Sequence, residues 1–460
     1  MKLSGDAIHE ECGVFGIYSP EGLQVSRDIY YGLMALQHRG QESAGISVSD
    51  TEGSRGNLKT IKGMGLVSEV FSQRSLENMT GNIGAGHVRY STTGASVPEN
   101  AQPIAMNYIK GSLALVHNGN ITNAEKLKEE QMRRGQAHYT SSDSEVLAYE
   151  VISERVRTGS IEEAVKKAGM RLKGGYACIF MSPRKLIGMR DPYGLKPLVF
   201  GRKGGSYILA SESSAIRAVG GELIRDIEPG EILTITKNGV KRDEVPIHPE
   251  RAHCIFEYIY FARMDSIIDG ISVYDARVRA GKALARRHGV VADIVVGVPD
   301  SGLAAAQGYS IESGIPFVLA FHKNSYVGRS FIKPTEEERK SAVHMKLSIP
   351  EHVVEGKKVV LIDDSIVRGT TMNQIIRMLR EAGALAVHVR ISSPPFLYPC
   401  YYGTDVPTTG QLIASEHSPE EICRTIGADS LGYLALSDFT CMVGKLPLCS
   451  ACFDGKYPLL

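Results

Sequence analysis

The sequence has neither an excess of one charge nor a long apolar run. It contains 52 Lys and Arg against 51 Asp and Glu, a net charge of +1, so no overall field favours nucleic acid, an acidic partner or a membrane surface. No stretch approaches the roughly eighteen apolar residues of a membrane span. Residues 1–11 lack the apolar core of a signal peptide. We therefore expect a cytoplasmic protein whose partners are small molecules, with no role for nucleic acid or a membrane.

Length and cysteine content set further limits. At 460 residues, with 43% hydrophobic and 22% charged content, the chain is expected to form two or three globular domains. Because disulfides are rare in the cytoplasm, the cysteines are expected as reduced thiols that serve as a nucleophile or as metal ligands. The eight are Cys12, Cys178, Cys254, Cys400, Cys423, Cys441, Cys449 and Cys452.

The two halves of the chain differ in their pattern of secondary-structure signals. The first has short strand-like runs and Gly-rich turns, with one helix indicated by the spacing of Val25, Ile29, Leu33 and Leu36. The polar stretch 237–250 breaks this pattern and is expected to cross between domains. The predicted division is residues 1–11, a domain over 12–247 and a domain over 248–460.

In the second half, strand and helix signals alternate. Strands are expected over 292–298, 359–362 and 386–391, with helices from Ser301 and over 371–381. This alternation predicts a parallel sheet built from right-handed crossovers.

Residues 359–371 (VVLIDDSIVRGTT) are the most informative segment. The apolar run 359–362 shows no alternation, which is typical of a parallel strand buried on both faces. Asp363 and Asp364 follow at its carboxyl end, where open α/β sheets bind ligands. The backbone N–H groups of 365–371, with the dipole of the next helix, can bind a phosphate. The acids would repel that phosphate, so we expect them to bind ribose hydroxyls and Mg²⁺. The alternative is a strand end with an Asp helix cap.

This segment resembles the phosphoribosylpyrophosphate (PRPP) motif of the type I phosphoribosyltransferases. Besides the two acids, the resemblance implies that PRPP is bound by Ser365, Arg368, Gly369, Thr370 and Thr371. The small residues of 297–302 (GVPDSG) are expected to bind pyrophosphate through backbone amides. Ser301 would join Asp363 and Asp364 as a ligand of Mg²⁺. The basic segment 323–335 is expected to form a catalytic lid, the alternative being a solvated loop.

A second set of motifs lies in the first half. In chain order it comprises 12–17 (CGVFGI), 37–40 (QHRG), 86–92 (GHVRYST), 117–120 (HNGN) and 142–145 (SDSE). Each is weak alone, and a lone Cys at a strand start is usually a small buried residue. Together they resemble the class II glutamine amidotransferases, which are N-terminal nucleophile enzymes, over about residues 12–236.

That resemblance implies a role for each residue. Removal of residues 1–11 would give Cys12 a free α-amino group, so that nucleophile and general base share one residue. Asn118 and Gly119 would stabilise the oxyanion. Arg89 would bind the glutamine carboxylate and Asp143 its ammonium group. Arg39 and Thr92 would be supporting contacts, the alternative being structural hydrogen bonding.

The two halves together resemble the amidophosphoribosyltransferase family, which residues 257–266 (EYIYFARMDS) also match. The implied fold is α+β and α/β: an N-terminal nucleophile sandwich of αββα layers, then a type I phosphoribosyltransferase parallel sheet. The implied activity makes 5-phosphoribosylamine from PRPP and glutamine, at the start of purine synthesis. The alternatives are a PRPP-binding regulator of the purine-repressor type, which would need a DNA-binding domain in front, or another class II amidotransferase.

Four cysteines suit a metal centre. The spacing of Cys254, Cys400, Cys449 and Cys452 does not choose between zinc and an iron–sulfur cluster, and the alternative is four ordinary buried cysteines. Resemblance to the Bacillus-like branch of the family implies a [4Fe-4S] cluster, and a propeptide that ends at Glu11. Cys178 is expected in the core, and Cys423 and Cys441 as buried thiols without a role. The family also implies feedback by purine nucleotides, with the regions of Lys346 and Ser301 as candidate places, and a homotetramer.

Overall fold

We describe the protein from a computed structural model. It describes residues 12–51, 58–90, 96–324, 347–404 and 409–459. The expected propeptide, Thr92, all but the first two residues of the expected lid, and Lys346 lie outside these ranges.

The N-terminal domain is built from two sheets and flanking helices. Its described strands are β1 (Gly13–Tyr18), β2 (Ser43–Ser49), β3 (Leu58–Met64), β4 (Ile83–Arg89), β5 (Ile104–Tyr108), β6 (Gly111–Ile121), β7 (Gly174–Ser182), β8 (Lys185–Arg190), β9 (Val199–Lys203), β10 (Ser206–Ala210), β11 (Glu222–Asp226), β12 (Glu231–Thr236) and β13 (Gly239–Glu244). Its described helices are α1 (Ser26–Ala35), α2 (Val67–Val70), α3 (Gln73–Asn78), α4 (Ala124–Arg133), α5 (Asp143–Arg157), α6 (Ile161–Gly169) and α7 (Ser213–Ala218), with a 3₁₀ turn at Pro98–Asn100.

The strands form a seven-stranded sheet, in the order β11-β9-β10-β1-β4-β2-β3, and a six-stranded sheet, in the order β13-β12-β8-β7-β6-β5. Both are antiparallel. Side chains such as Val14, Val116 and Leu233 fill the space between the sheets. Helices α1 and α7 cover the first sheet and α5 and α6 cover the second. The predicted αββα sandwich is therefore confirmed, as is the helix α1, whose Ile29 and Leu33 are buried.

The expected domain crossing at 237–250 is wrong in part. Residues 239–244 form β13, which pairs with β12 at the edge of the six-stranded sheet. Most residues of β13 are exposed. Because this edge strand has no buried face, its sequence lacks the alternation of apolar and polar residues. Lys237 and Asn238 form the two-residue turn that joins β12 to β13, and the polarity of the stretch concealed this hairpin. The expected boundary near residue 248 falls in the irregular segment that follows.

The C-terminal domain has strands β14 (His253–Cys254), β15 (Ile267–Ile268), β16 (Ile271–Ser272), β17 (Ile294–Gly297), β18 (His322–Lys323), β19 (Leu347–Ser348), β20 (Lys358–Asp363), β21 (Ala386–Ile391), β22 (Ser430–Tyr433) and β23 (Leu448–Cys449). Its described helices are α8 (Val273–Arg287), α9 (Gly302–Ser313), α10 (Glu351–Val354), α11 (Thr370–Glu381), α12 (Ile413–Glu416), α13 (Pro419–Ile426), α14 (Phe439–Val443) and α15 (Ala451–Asp454). A π-helical turn occupies Glu257–Phe261, and 3₁₀ turns occupy Thr409–Gln411 and Leu436–Asp438.

Four parallel strands form the main sheet of this domain, in the order β17-β20-β21-β22. Val360 and Ile362 of β20 face α8 and α9, whereas Val359 and Leu361 face α11 and α13. The strand is thus buried on both faces, which explains its apolar run without alternation. The parallel sheet predicted from the sequence is confirmed.

Among the residues that the structure describes, no helix is both long and apolar enough to span a membrane.

Candidate active sites

The first candidate site is centred on the Cys12 thiol, directly before β1. Its Sγ is buried and lies 3.4 Å from the carbonyl oxygen of Tyr90, to which the thiol donates. Burial raises the pKa of Cys12 to about 11, an effect that the nearby Arg89 guanidinium opposes. The thiol is therefore protonated at neutral pH until a base removes its proton.

Asn118 and Gly119 lie on β6, and the Nε2 of His87 on β4 lies 3.0 Å from the carbonyl oxygen of His117 just before them. The Asn118 side chain is fully buried, and neither its Nδ2 nor its Oδ1 has a partner among the described residues. A buried amide without a partner is costly, and such groups are typical of functional sites. Gly119 has φ of +128°, and a Cβ there would lie 2.0 Å from the carbonyl oxygen of Gly175. Only glycine fits this position.

Two charged side chains lie near enough to the thiol for their charges to influence its pKa. Arg89 ends β4, is buried, and its Nη1 lies 3.9 Å from a carboxylate oxygen of Glu42. Asp143 begins α5, and its Oδ2 accepts a hydrogen bond of 2.9 Å from the backbone N–H of Ile121. Both influence the pKa of Cys12, in opposite directions. The structure thus brings together Cys12, Arg89 and Asp143, as the sequence predicts.

Arg39 is fully buried. Its guanidinium donates to Glu212 and, with a 3.2 Å contact from Nη1, to Glu257 of the C-terminal domain. This pairing supports the structural alternative considered for Arg39, and its contact with glutamine stays a prediction. Thr92 lies outside the described residues.

Glu212 is a residue that the sequence did not single out. Its buried carboxylate accepts hydrogen bonds from the Arg263 backbone N–H at 3.0 Å and the Ser266 hydroxyl at 2.6 Å, both in the C-terminal domain. Although burial opposes ionisation, Arg39 and His38 hold the pKa of Glu212 well below its usual range. Glu212 therefore joins the segment 257–266 to the N-terminal domain. The motif 257–266 was the only part of this contact that the sequence analysis singled out. No spacing rule reveals that Glu212 is its partner.

The second candidate site lies at the carboxyl end of β20. Asp363 and Asp364 are both buried, and burial together with the charge of Asp364 raises the pKa of Asp363 well above its usual range. The Ser301 and Ser365 hydroxyls each donate to Asp364 at 2.5 Å. The structure therefore gathers Ser301 and both acids, as predicted from two separate motifs.

Around these acids lie two loops that begin helices. Gly369 has φ of +85° and precedes α11, whose first residues are Thr370 and Thr371. Gly302 begins α9 close to β20, because a Cβ on it would lie 2.5 Å from the Ile362 carbonyl oxygen. The Arg368 guanidinium donates a 2.7 Å hydrogen bond to the side-chain oxygen of Gln411. Of the expected lid, Lys323 pairs with Asp300 and Asn324 follows it.

Four cysteines distant in sequence line one cavity. Parallel pairing of β14 and β23 sets Cys254 opposite Cys449, and Cys400 and Cys452 line the same space. Burial raises the pKa of Cys449 to about 12, and burial together with the three neighbouring thiols raises the pKa of Cys452 well above its usual range. Within the described ranges, no three His, Cys, Asp or Glu side chains are grouped so as to hold a metal ion.

The remaining cysteines differ in burial. Cys178 is buried in the core, as expected. Cys423 is half-buried, whereas Cys441 on α14 is exposed, so the prediction of a buried thiol is wrong for Cys441. Helix α14 buries Phe439, Met442 and Val443, which directs position 441 to solvent.

Known proteins match both halves. One family model, a glutamine amidotransferase domain, matches residues 87–218, and another, a phosphoribosyl transferase domain, matches residues 280–392. The amidophosphoribosyltransferase of Methanocaldococcus jannaschii is 47% identical over 97% of each chain. That of Bacillus subtilis is 47% identical over 98% of this chain and 94% of its own. The solved structure of the B. subtilis glutamine PRPP amidotransferase, complexed with ADP and GMP, matches with a TM-score of 0.90 at 46% identity, covering 98% of each chain.

The two folds and the full-length matches define an enzyme that joins a glutamine amidotransferase domain to a phosphoribosyltransferase domain. The chain belongs to the amidophosphoribosyltransferase family. These matches favour this assignment over the regulator of the purine-repressor type and over other class II amidotransferases.

Proposed function

We propose that the chain converts PRPP, glutamine and water into 5-phosphoribosylamine, pyrophosphate and glutamate, the first committed step of purine biosynthesis. The observation that carries this proposal is the presence of a buried thiol site and a paired-acid loop in two domains joined through Glu212. Purified enzyme supplied with PRPP, Mg²⁺ and glutamine should release glutamate and pyrophosphate in equal amounts. Pyrophosphate release without glutamate would contradict the proposal.

In the glutaminase step, Cys12 is the nucleophile. Since its thiol is protonated at neutral pH, a base must take the proton, and a free α-amino group on Cys12 has an ordinary pKa of about 7.7–8.0. Sulfur then bonds to the amide carbon of glutamine, and the carbonyl π electrons move to oxygen. The Asn118 amide and the Gly119 N–H stabilise this oxyanion. Its collapse breaks the C–N bond, releases ammonia with the transferred proton, and leaves a thioester that water converts to glutamate.

Glutamine itself is held by opposite charges. Arg89 binds the α-carboxylate and Asp143 the α-ammonium group, because a free amino acid presents one of each. The burial of Arg89 strengthens such a pair by excluding water. Arg39 and Thr92 remain supporting residues in this proposal.

In the transferase step, ammonia attacks the ribose carbon that bears pyrophosphate, and the C–O bond to pyrophosphate breaks. The loop 365–371 binds the 5-phosphate through backbone N–H groups, and 297–302 binds the leaving pyrophosphate. Asp363, Asp364 and Ser301 would hold Mg²⁺, which neutralises charge on pyrophosphate when bound. The oxygen donor set fits this ion, and a divalent cation would offset both the burial of the Asp363 carboxylate and its repulsion by Asp364, which together raise the pKa of Asp363.

We also propose a [4Fe-4S] cluster held by Cys254, Cys400, Cys449 and Cys452. Support comes from the shared cavity and from its apolar walls, which include Leu195, Phe256 and Phe396. Thiolates without a cation would be unstable in such surroundings, as the raised pKa values of Cys449 and Cys452 indicate. Cluster binding would tie both ends of the C-terminal domain together, so it is coupled to folding.

Cys449→Ser is therefore expected to yield colourless protein that folds poorly. Visible absorbance at the iron–sulfur bands, together with iron and sulfide analysis, measures the cluster content of the variant. Cys441→Ser is the matched control, because Cys441 is exposed and should leave the colour and the iron content unchanged. Stoichiometric zinc in active wild-type enzyme would contradict the cluster.

We propose that residues 1–11 are removed to expose the α-amino group of Cys12. With these residues attached, the nitrogen of Cys12 is a peptide amide and cannot accept the thiol proton. The mature enzyme should therefore begin at Cys12, and Cys12→Ala should retain residues 1–11. Intact mass and N-terminal sequencing measure both. Active wild-type enzyme that keeps Glu10 and Glu11 would contradict the assignment of Cys12 as an N-terminal nucleophile.

Feedback inhibition by purine nucleotides, a homotetramer and a cytoplasmic location complete the proposal. The nucleotides in the B. subtilis relative support the first. Titration with ADP and GMP, light scattering and cell fractionation test the three in turn.

A further inference from the structure

The segment that follows Cys400 reaches the other domain. The Asn120 side-chain Nδ2 donates a 2.8 Å hydrogen bond to the Tyr401 carbonyl oxygen, 281 residues away in sequence. Asn120 is the residue directly after Gly119, so this bond attaches the C-terminal domain to the strand that carries Asn118 and Gly119.

Gly403 lies directly against the same strand. A Cβ on Gly403 would lie 2.8 Å from the carbonyl carbon of Gly119 and 2.9 Å from its Cα. Gly403 also has φ of +103°, which disfavours other residues. Because the atoms it meets are backbone, neither side can yield by rotating a side chain.

Gly119 also lies against β7, which pairs with β6. Its missing Cβ leaves room for the Gly175 carbonyl oxygen. The backbone of Gly119 is therefore in close contact with Gly175 of its own domain and with Gly403 of the other. Close backbone contacts of this kind restrict the movement of the Gly119 peptide.

The segment is anchored at its other end in the four-cysteine cavity. The Tyr402 N–H donates to the Cys400 Sγ at 3.4 Å, and both Tyr402 and Thr404 line the cavity. Gly403 thus lies between cavity-lining residues and the glutaminase strand.

We propose that Gly403 and Asn120 are positioning residues for the oxyanion hole, and that the segment 400–404 holds the Gly119 N–H in its catalytic direction. This inference rests on the proposed role of Gly119 as an oxyanion donor. It gives the segment 400–404, which contains the proposed cluster ligand Cys400, a part in the glutaminase reaction. An oxyanion donor acts on the transition state, so its displacement should lower kcat rather than weaken glutamine binding.

Gly403→Ala is expected to lower the glutamine-dependent kcat by about 10- to 100-fold, with KM for glutamine changed less than about twofold. Ammonium-dependent synthesis and iron content should stay at the wild-type level. Asn120→Asp, which replaces the Nδ2 donor by a carboxylate oxygen facing the Tyr401 carbonyl, should lower kcat in the same direction. Gly410→Ala is the control, because a Cβ at that exposed position meets nothing within 4 Å.

An aldehyde analogue of glutamine separates positioning from general damage. Its adduct with the thiol carries an oxyanion, so both variants should bind it more weakly, by a factor similar to their loss of kcat, and should bind glutamate normally. Unchanged kcat, a rise in KM alone, or equal loss of ammonium-dependent activity in both variants would overturn the inference. If Cys12→Ala keeps glutamine-dependent activity, the proposed function fails instead, whatever the Gly403 variant does.

Discussion

Cys12→Ala is expected to abolish glutamine-dependent synthesis of phosphoribosylamine while leaving synthesis from ammonium salts at high pH. Removal of a nucleophile that acts with its own base costs about 10⁴-fold or more in rate. The transferase site has no need of the thiol, because ammonia from solution replaces the ammonia released from glutamine. Glutamate release and pyrophosphate release, measured with each nitrogen source, give the two activities separately.

The same change is expected to keep residues 1–11 attached. The experiment therefore compares this form of Cys12→Ala with a second form that is expressed without residues 1–11. Both forms should retain ammonium-dependent activity. Cys441→Ser serves as the control, since that thiol is exposed and distant in sequence from either site. Loss of both activities in a folded Cys12→Ala protein would contradict two separate sites.

Asp364→Asn is expected to have the complementary effect, a loss of about 10²- to 10³-fold in transferase activity with either nitrogen source. The asparagine keeps the size of the side chain and an oxygen that accepts from Ser301 or Ser365, but it removes the charge that would bind Mg²⁺. It also removes the repulsion by Asp364 that adds to burial in raising the pKa of Asp363. The fold should therefore survive while PRPP binding and catalysis decline.

Asp293→Asn is the matched control, because this carboxylate accepts a 2.7 Å hydrogen bond from the Lys358 N–H at the opposite end of β20. It should leave both activities within about twofold of wild type. Covalent labelling of Cys12 by a reactive glutamine analogue should persist in Asp364→Asn. Full ammonium-dependent activity in that variant would show that the acid pair is structural.

Some elements were predictable because their signals are local. The strand β20 and helix α11 follow from a buried apolar run, two acids and a small-residue loop within about a dozen residues. The strand β13 was missed, because an exposed edge strand carries no apolar periodicity and the polar stretch resembled a linker. Cys441 was misjudged for a related reason, since the burial of one residue on a short helix depends on the surface against which that helix packs.

The sequence by itself determined the order of the domains and the parallel sheet, and the family resemblance of its motifs implied the αββα sandwich and the candidate residues of both sites. Periodicity and short motifs act within one strand, loop or helix, and they are legible along the chain. Only the tertiary structure decided that Arg39 pairs with Glu212 and Glu257 and that Gly403 lies against Gly119. These contacts join residues far apart in sequence, and they depend on how two independently patterned domains pack, for which a single sequence contains no spacing rule.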